Sequence, residues 1–155
     1  MDSQRDSDTE RDRDNERDSA YDLLRRGEAL LDGKHHAQAA IVLERADRLE
    51  PDKASILEAL GRAYFNSGQH DLARATFERL LVLDPSAHYA HFALGQSLKR
   101  LGRREEAGTH LRLAVALQPR SALYRDALAR LGPTRAGPKV TPPPKRRPVE
   151  PPPTE

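Results

Sequence analysis

Cysteine is absent from the 155 residues, which excludes a disulfide framework and any cysteine-ligated metal and fits a reducing compartment. Long apolar runs are missing as well. Nothing approaches the roughly 18 consecutive apolar residues of a membrane span. The opening Met1-Asp2-Ser3-Gln4-Arg5-Asp6 is acidic where a secretory leader would carry an apolar core. A soluble, cytoplasmic chain without a membrane span is the resulting expectation. The short signatures of catalysis are also lacking: there is no glycine-rich phosphate loop, no HExxH, no CxxC and no nucleophile elbow. Neither an enzyme nor a cofactor is expected. Aromatic residues number only seven, so the places they occupy carry weight.

Proline is scarce in the middle of the chain and crowded at its end, with nine of twelve falling after residue 132. About 110 residues are left to form a packed domain. Charge is also segregated. Residues 2–19 hold eight acids against four arginines, whereas residues 133–155 hold five bases against two acids; the formal net charge of +2 thus conceals two oppositely charged tails. Arginine outnumbers lysine 21 to 5, a composition that fits a bacterial coding sequence of high GC content. Residues 1–19 offer nothing apolar to bury beyond the initiator methionine and are expected to be disordered.

The three remaining prolines sit at 51, 85 and 119, each 34 residues apart, and glycine recurs at 27, 61 and 95 on the same spacing. Two residue types held at one period mark a repeat array. Ser19 with Asp22 three places on forms a variant capping box ahead of Tyr21, Leu23, Leu24, Leu30 and Leu31, so a first helix is predicted to start there and to stop at Gly33 through a left-handed glycine. A second helix, His36 to Leu49, carries Ala39, Leu43 and Ala46 on one stripe and ends before Pro51. The hairpin then recurs twice. Gly61 and Ala73 are small where paired helices would cross, and Leu60, Tyr64 and Phe77 fill the space beside them. The prolines close each second helix and leave Asp52, Ser86 and Ser121 as predicted N-caps of the next.

The second copy reads Leu57-x-x-Leu60-Gly61-x-x-Tyr64, Gly68, Ala73-x-x-x-Phe77, Pro85. The third reads His91-x-x-Leu94-Gly95-x-x-Leu98, Gly102, Ala107-x-x-x-Leu111, Pro119. The first reads Leu23-x-x-Arg26-Gly27-x-x-Leu30, Ala39-x-x-x-Leu43, Pro51. This pattern resembles the tetratricopeptide repeat. The first copy departs from it at Arg26, where leucine is usual, and at Gly33, one place earlier than Gly68 and Gly102. The resemblance implies an all-α, right-handed superhelix of three helical hairpins, residues 20–53, 54–87 and 88–121. A C-terminal capping helix over 122–131 completes a domain spanning 20–131, in which Arg125, Asp126 and Arg130 are interspersed among Leu123, Leu128 and Leu131.

Successive first helices of such an array line a concave face. The resemblance assigns that face to Tyr21, Leu24, Glu28 and Leu31 in the first copy, to Ser55, Glu58, Arg62 and Phe65 in the second, and to Tyr89, Phe92, Gln96 and Lys99 in the third. Four of the seven aromatics fall there. Aromatics mixed with Arg, Glu and Gln suit a peptide or helix that supplies apolar anchors and a few polar contacts. A subset of the family clamps the C-terminal carboxylate of chaperones with Lys, Asn and Arg, but the matching positions here hold Leu24, Glu28, Ala59, Tyr89 and Ala93. A carboxylate-clamp partner is therefore not expected. The implied function is a non-catalytic adaptor or chaperone-like scaffold for a protein or peptide partner.

Histidine is the one remaining candidate for chemistry. His88 and His91 lie at i, i+3, yet no acid within one turn completes a ligand set, and His91 takes the packing position of Leu57 in the copy before. No metal site is expected. His35 and His36 fall in a predicted turn. Beyond Gly132 the sequence Thr141-Pro-Pro-Pro-Lys145-Arg146-Arg147-Pro148-Val149-Glu150-Pro151-Pro-Pro is read as an extended, disordered tail over 132–155. It serves as a spacer, as a proline-rich ligand for an aromatic groove, or as an anionic-surface or nucleic-acid contact through Lys145, Arg146 and Arg147. Three adjacent bases make a short patch, so nucleic acid is the weaker partner class. Self-association through the apolar face is the further alternative.

Overall fold

The computed structural model describes residues 18–133. The N-terminal tail, the proline-rich tail and its bases Lys145, Arg146 and Arg147 lie outside the described residues. Seven helices follow one another: α1 (Ala20–Asp32), α2 (His36–Leu49), α3 (Ala54–Asn66), α4 (His70–Leu83), α5 (His88–Arg100), α6 (Arg104–Leu117) and α7 (Ala122–Leu131). Among the described residues there is no strand. No helix among them is long and apolar enough to cross a membrane.

Each helix packs on the next, and the odd-numbered helices also touch one another, α1 on α3, α3 on α5 and α5 on α7. No pair of even-numbered helices comes equally close. Short loops make sequence neighbours antiparallel, so the odd helices run parallel along the inside of a curve and the even helices splay along its outside. This is the all-α right-handed superhelix that the resemblance to the tetratricopeptide repeat implies.

Small residues hold each hairpin together. Ala39, Ala73 and Ala107 are wholly buried, and a Cβ added to Gly61 would lie 2.6 Å from the Phe77 ring. Gly27 against Leu43 and Gly95 against Leu111 repeat the contact. Any side chain at these glycines would push the partner helix off the dense packing that stabilises the pair. Leu23, Leu57, Leu60, Leu94, Leu98 and Leu111 complete a continuous core.

Two local predictions need correction. Gly33 does not take the left-handed position: its φ is −76°, and Lys34 holds that conformation at φ 61°, where the later copies place Gly68 (φ 82°) and Gly102 (φ 77°). Asp52 and Ser86 are not N-caps. Lys53 and Ala87 occupy those places without a side-chain cap, because proline and its successor are both consumed by the turn. Asp52 is instead left-handed (φ 57°) and accepts from Arg79 Nη2 at 2.9 Å, while Arg79 also grips Asp47 with two bonds of 2.8 and 2.9 Å. That guanidinium ties α2, α4 and the intervening turn together, and its two carboxylates keep it firmly cationic. Ser86 donates from its hydroxyl and its backbone N–H to Asp84, at 2.7 and 3.0 Å. The last helix, α7, buries Tyr124, Ala127 and Leu131 and leaves Leu123 exposed. Ser19 and Ser121 do cap their helices; Ser19 accepts from the Asp22 N–H at 3.1 Å while Asp22 reaches back to the Ser19 N–H at 3.2 Å.

Candidate functional site

The helix period places Arg62, Phe65 and Asn66 on one side of α3, and Tyr89, Phe92, Ala93 and Gln96 on the facing side of α5. Between them lies a cleft of about 210 Å³, floored by the edge of Phe77. Its aromatic lining is continuous. Phe77 meets Tyr89 edge to face at 6.3 Å, Tyr89 lies 6.3 Å from Phe92, and Phe92 stacks on Tyr124 of α7 at 4.9 Å and 24°. Phe65, on the opposite wall, sets its edge against His70 at 5.1 Å. Such rings supply apolar contact area at low entropic cost, since few torsions need freezing.

Electrostatics at the cleft are mixed. Burial pushes the Tyr89 phenol up, an effect that Glu58 reinforces and Arg62 opposes. The Tyr124 phenol is raised for the same reason, again with Glu58 contributing, and its hydroxyl meets His88 Nδ1 at 2.8 Å. Both phenols therefore stay neutral donors near pH 7.

The predicted concave residues divide into groups. Arg62, Phe65, Tyr89, Phe92 and Gln96 line this cleft. Tyr21, Leu24, Glu28 and Ser55 line a separate hollow of about 310 Å³ between α1 and α3 with Arg25, Lys53 and Ile56. Glu58 and Lys99 are exposed on the same helices but line neither. Leu24 and Leu31 are corrections: at 8% and 6% exposure both belong to the core, and only Leu24 reaches the wall of a hollow.

His91 is buried, as its packing position implies. Its Nε2 meets the Pro85 carbonyl at 2.9 Å and its Nδ1 meets His110 Nδ1 at 3.0 Å. A carbonyl only accepts, so His91 carries its proton on Nε2 and His110 donates from Nδ1. Among the described residues no group of three His, Asp or Glu is arranged to hold a metal.

Comparison with known proteins bears on this architecture. The sequence profile of the tetratricopeptide repeat matches residues 58–122. MamA from Desulfovibrio magneticus RS-1 superposes with a TM-score of 0.72 at 22% identity, over 75% of this chain and 66% of that one. The first such domain of Spaghetti (RPAP3), solved bound to the HSP90 peptide SRMEEVD, superposes with a TM-score of 0.69 at 18% identity, over 73% and 90%. The chain belongs to the tetratricopeptide repeat family. Among curated tetratricopeptide relatives, mouse Superkiller complex protein 3 is 32% identical over 109 residues, 70% of this chain. The chain spans only 7% of that protein's length.

Within this tetratricopeptide array, sequence reasoning missed Asn66 and Tyr124. Tyr124 was obscured because α7 reads as a polar capping helix. A signal did exist, since Tyr124 follows Ser121 as an aromatic on the turn that must stack on α5.

Proposed function

We propose that the chain is a non-catalytic interaction module that holds a segment of a partner polypeptide in the cleft between α3 and α5. One observation carries this reading: Phe65, Tyr89 and Phe92, partly buried against the core, each present an accessible edge to a single cleft, rimmed by the donors Arg62, Asn66 and Gln96. Exposed aromatics grouped beside a few polar groups are the usual anchors of protein recognition. At about 210 Å³ the cleft is smaller than the roughly 300–1,000 Å³ of small-molecule sites, and suits one or two anchoring side chains. Arg62 in the cleft and Lys99 beyond it favour acidic groups flanking the anchor. A chaperone carboxylate tail fits poorly, because Leu24 and Ala93 are buried where a clamp needs cations and Ala59 is buried where it needs an asparagine.

The test is a random peptide library panned against the wild-type chain and against the Phe65→Ala/Phe92→Ala variant, with helicity checked by circular dichroism. The proposal expects sequences bearing apolar or aromatic anchors to be enriched on the wild type and lost on the folded variant. Equal enrichment on both would remove the cleft from consideration.

A further inference from the structure

The proline-rich tail is the feature that this reading leaves unused, and its chemistry matches the cleft. A polyproline II segment forms no internal hydrogen bonds, so each of its carbonyls is free to accept and its rings present a regular apolar ridge. Grooves that recognise it combine aromatic faces for the rings with side-chain donors for the carbonyls. The cleft holds both: Phe65, Tyr89 and Phe92 as faces, and Arg62, Asn66 and Gln96 as donors. The chain itself carries Thr141-Pro-Pro-Pro and, after Lys145-Arg146-Arg147, Pro148 and Pro151-Pro-Pro.

Reach is sufficient. Tyr124 stacks on Phe92 at the cleft's edge, and α7 ends at Leu131, about 10 Å further along at 1.5 Å per residue. Arg104 fixes that end by donating to the Leu131 carbonyl. Thr141 lies ten residues beyond Leu131, a reach of about 31 Å when extended as polyproline II, enough to return to the cleft. Charge can pair in both senses. Glu58 acts on both cleft phenols and, like Glu28, is exposed on the inner face, where each can meet a base of Lys145-Arg146-Arg147, while Arg62 and Lys99 can meet the acids Glu150 and Glu155 of the same tail.

We infer that residues 141–153 dock in the aromatic cleft of their own chain and compete with any external segment for it. The inference rests on the cleft being a binding site, and its test is separable from the panning above. The absence of cysteine makes Thr154→Cys a unique attachment point for a nitroxide label. In the full-length labelled chain, amide signals of Asn66, Ala93 and Gln96 are expected to broaden at least tenfold more than those of Ile41 and Val82 on the outer helices. Serine at 142–144 and 151–153 is expected to abolish the difference and to raise affinity for a panned peptide about tenfold, the gain anticipated when a tethered competitor is removed. Uniform or absent broadening would overturn the inference even if panning succeeds. So would broadening that appears only when isotope-labelled chain is mixed with separate spin-labelled chain, because the occupant would then be a second copy.

Discussion

Single residues carry the clearest liabilities. Lys34 occupies a left-handed position (φ 61°) that its counterparts Gly68 and Gly102 fill without strain, and a side chain there costs about 1 kcal/mol. Lys34→Gly is therefore expected to raise the thermal midpoint by a few degrees, read by circular dichroism; an unchanged or lower midpoint would show that no strain is stored at that turn. His110 supplies a second test. Burial, and then the neighbouring His91, hold its imidazole below the ordinary histidine value, with Glu78 and Glu106 opposing. The unfolded chain therefore binds a proton that the folded chain resists. The resulting stability is complete above about pH 6.5 and is lost as pH falls through the depressed value. Urea midpoints between pH 7.5 and 5 should drop for the wild type and drop less for His110→Gln. Parallel profiles would place the pH sensitivity elsewhere.

At the scale of elements, capping and turns decide how much was legible. Ser19 and Asp22 form a reciprocal box, and the two bonds from Ser19 lower the Asp22 carboxyl. Ser19→Ala is expected to cost about 1 kcal/mol and to speed amide exchange in the first turn of α1 while leaving α5 unchanged. Helix placement could be read because glycine, alanine and proline act through sterics alone: α2 runs from His36 to Leu49, the limits its stripe and Pro51 imply. The N-caps at Asp52 and Ser86 were misplaced by one residue, since the pattern does not show that the turn consumes the residue after proline. The left-handed residue in the first loop was misassigned for a related reason. Glycine permits that conformation but loop length decides who must adopt it. Leu31 was read as surface because one helical face spans both the groove and the seam between hairpins, and periodicity does not divide them.

Across the whole molecule, nearest-neighbour stacking turns these local choices into one surface. Parallel odd helices bring side chains from different copies to a common cleft, and α7 closes the row by laying Tyr124 on Phe92. The membership of the cleft depends on how far each hairpin rotates on the last, which is why Tyr21 and Tyr89 share a register yet stand in different hollows. The central claim is that binding occurs on this inner face. Its most direct test places the photo-reactive amino acid benzoylphenylalanine at Gln96 in the cleft or at Val82, 82% exposed on outer helix α4, and irradiates each chain with a panned peptide. Adducts at position 96 and none at 82 are predicted; comparable adducts at both, or adducts at 82 alone, would contradict the account.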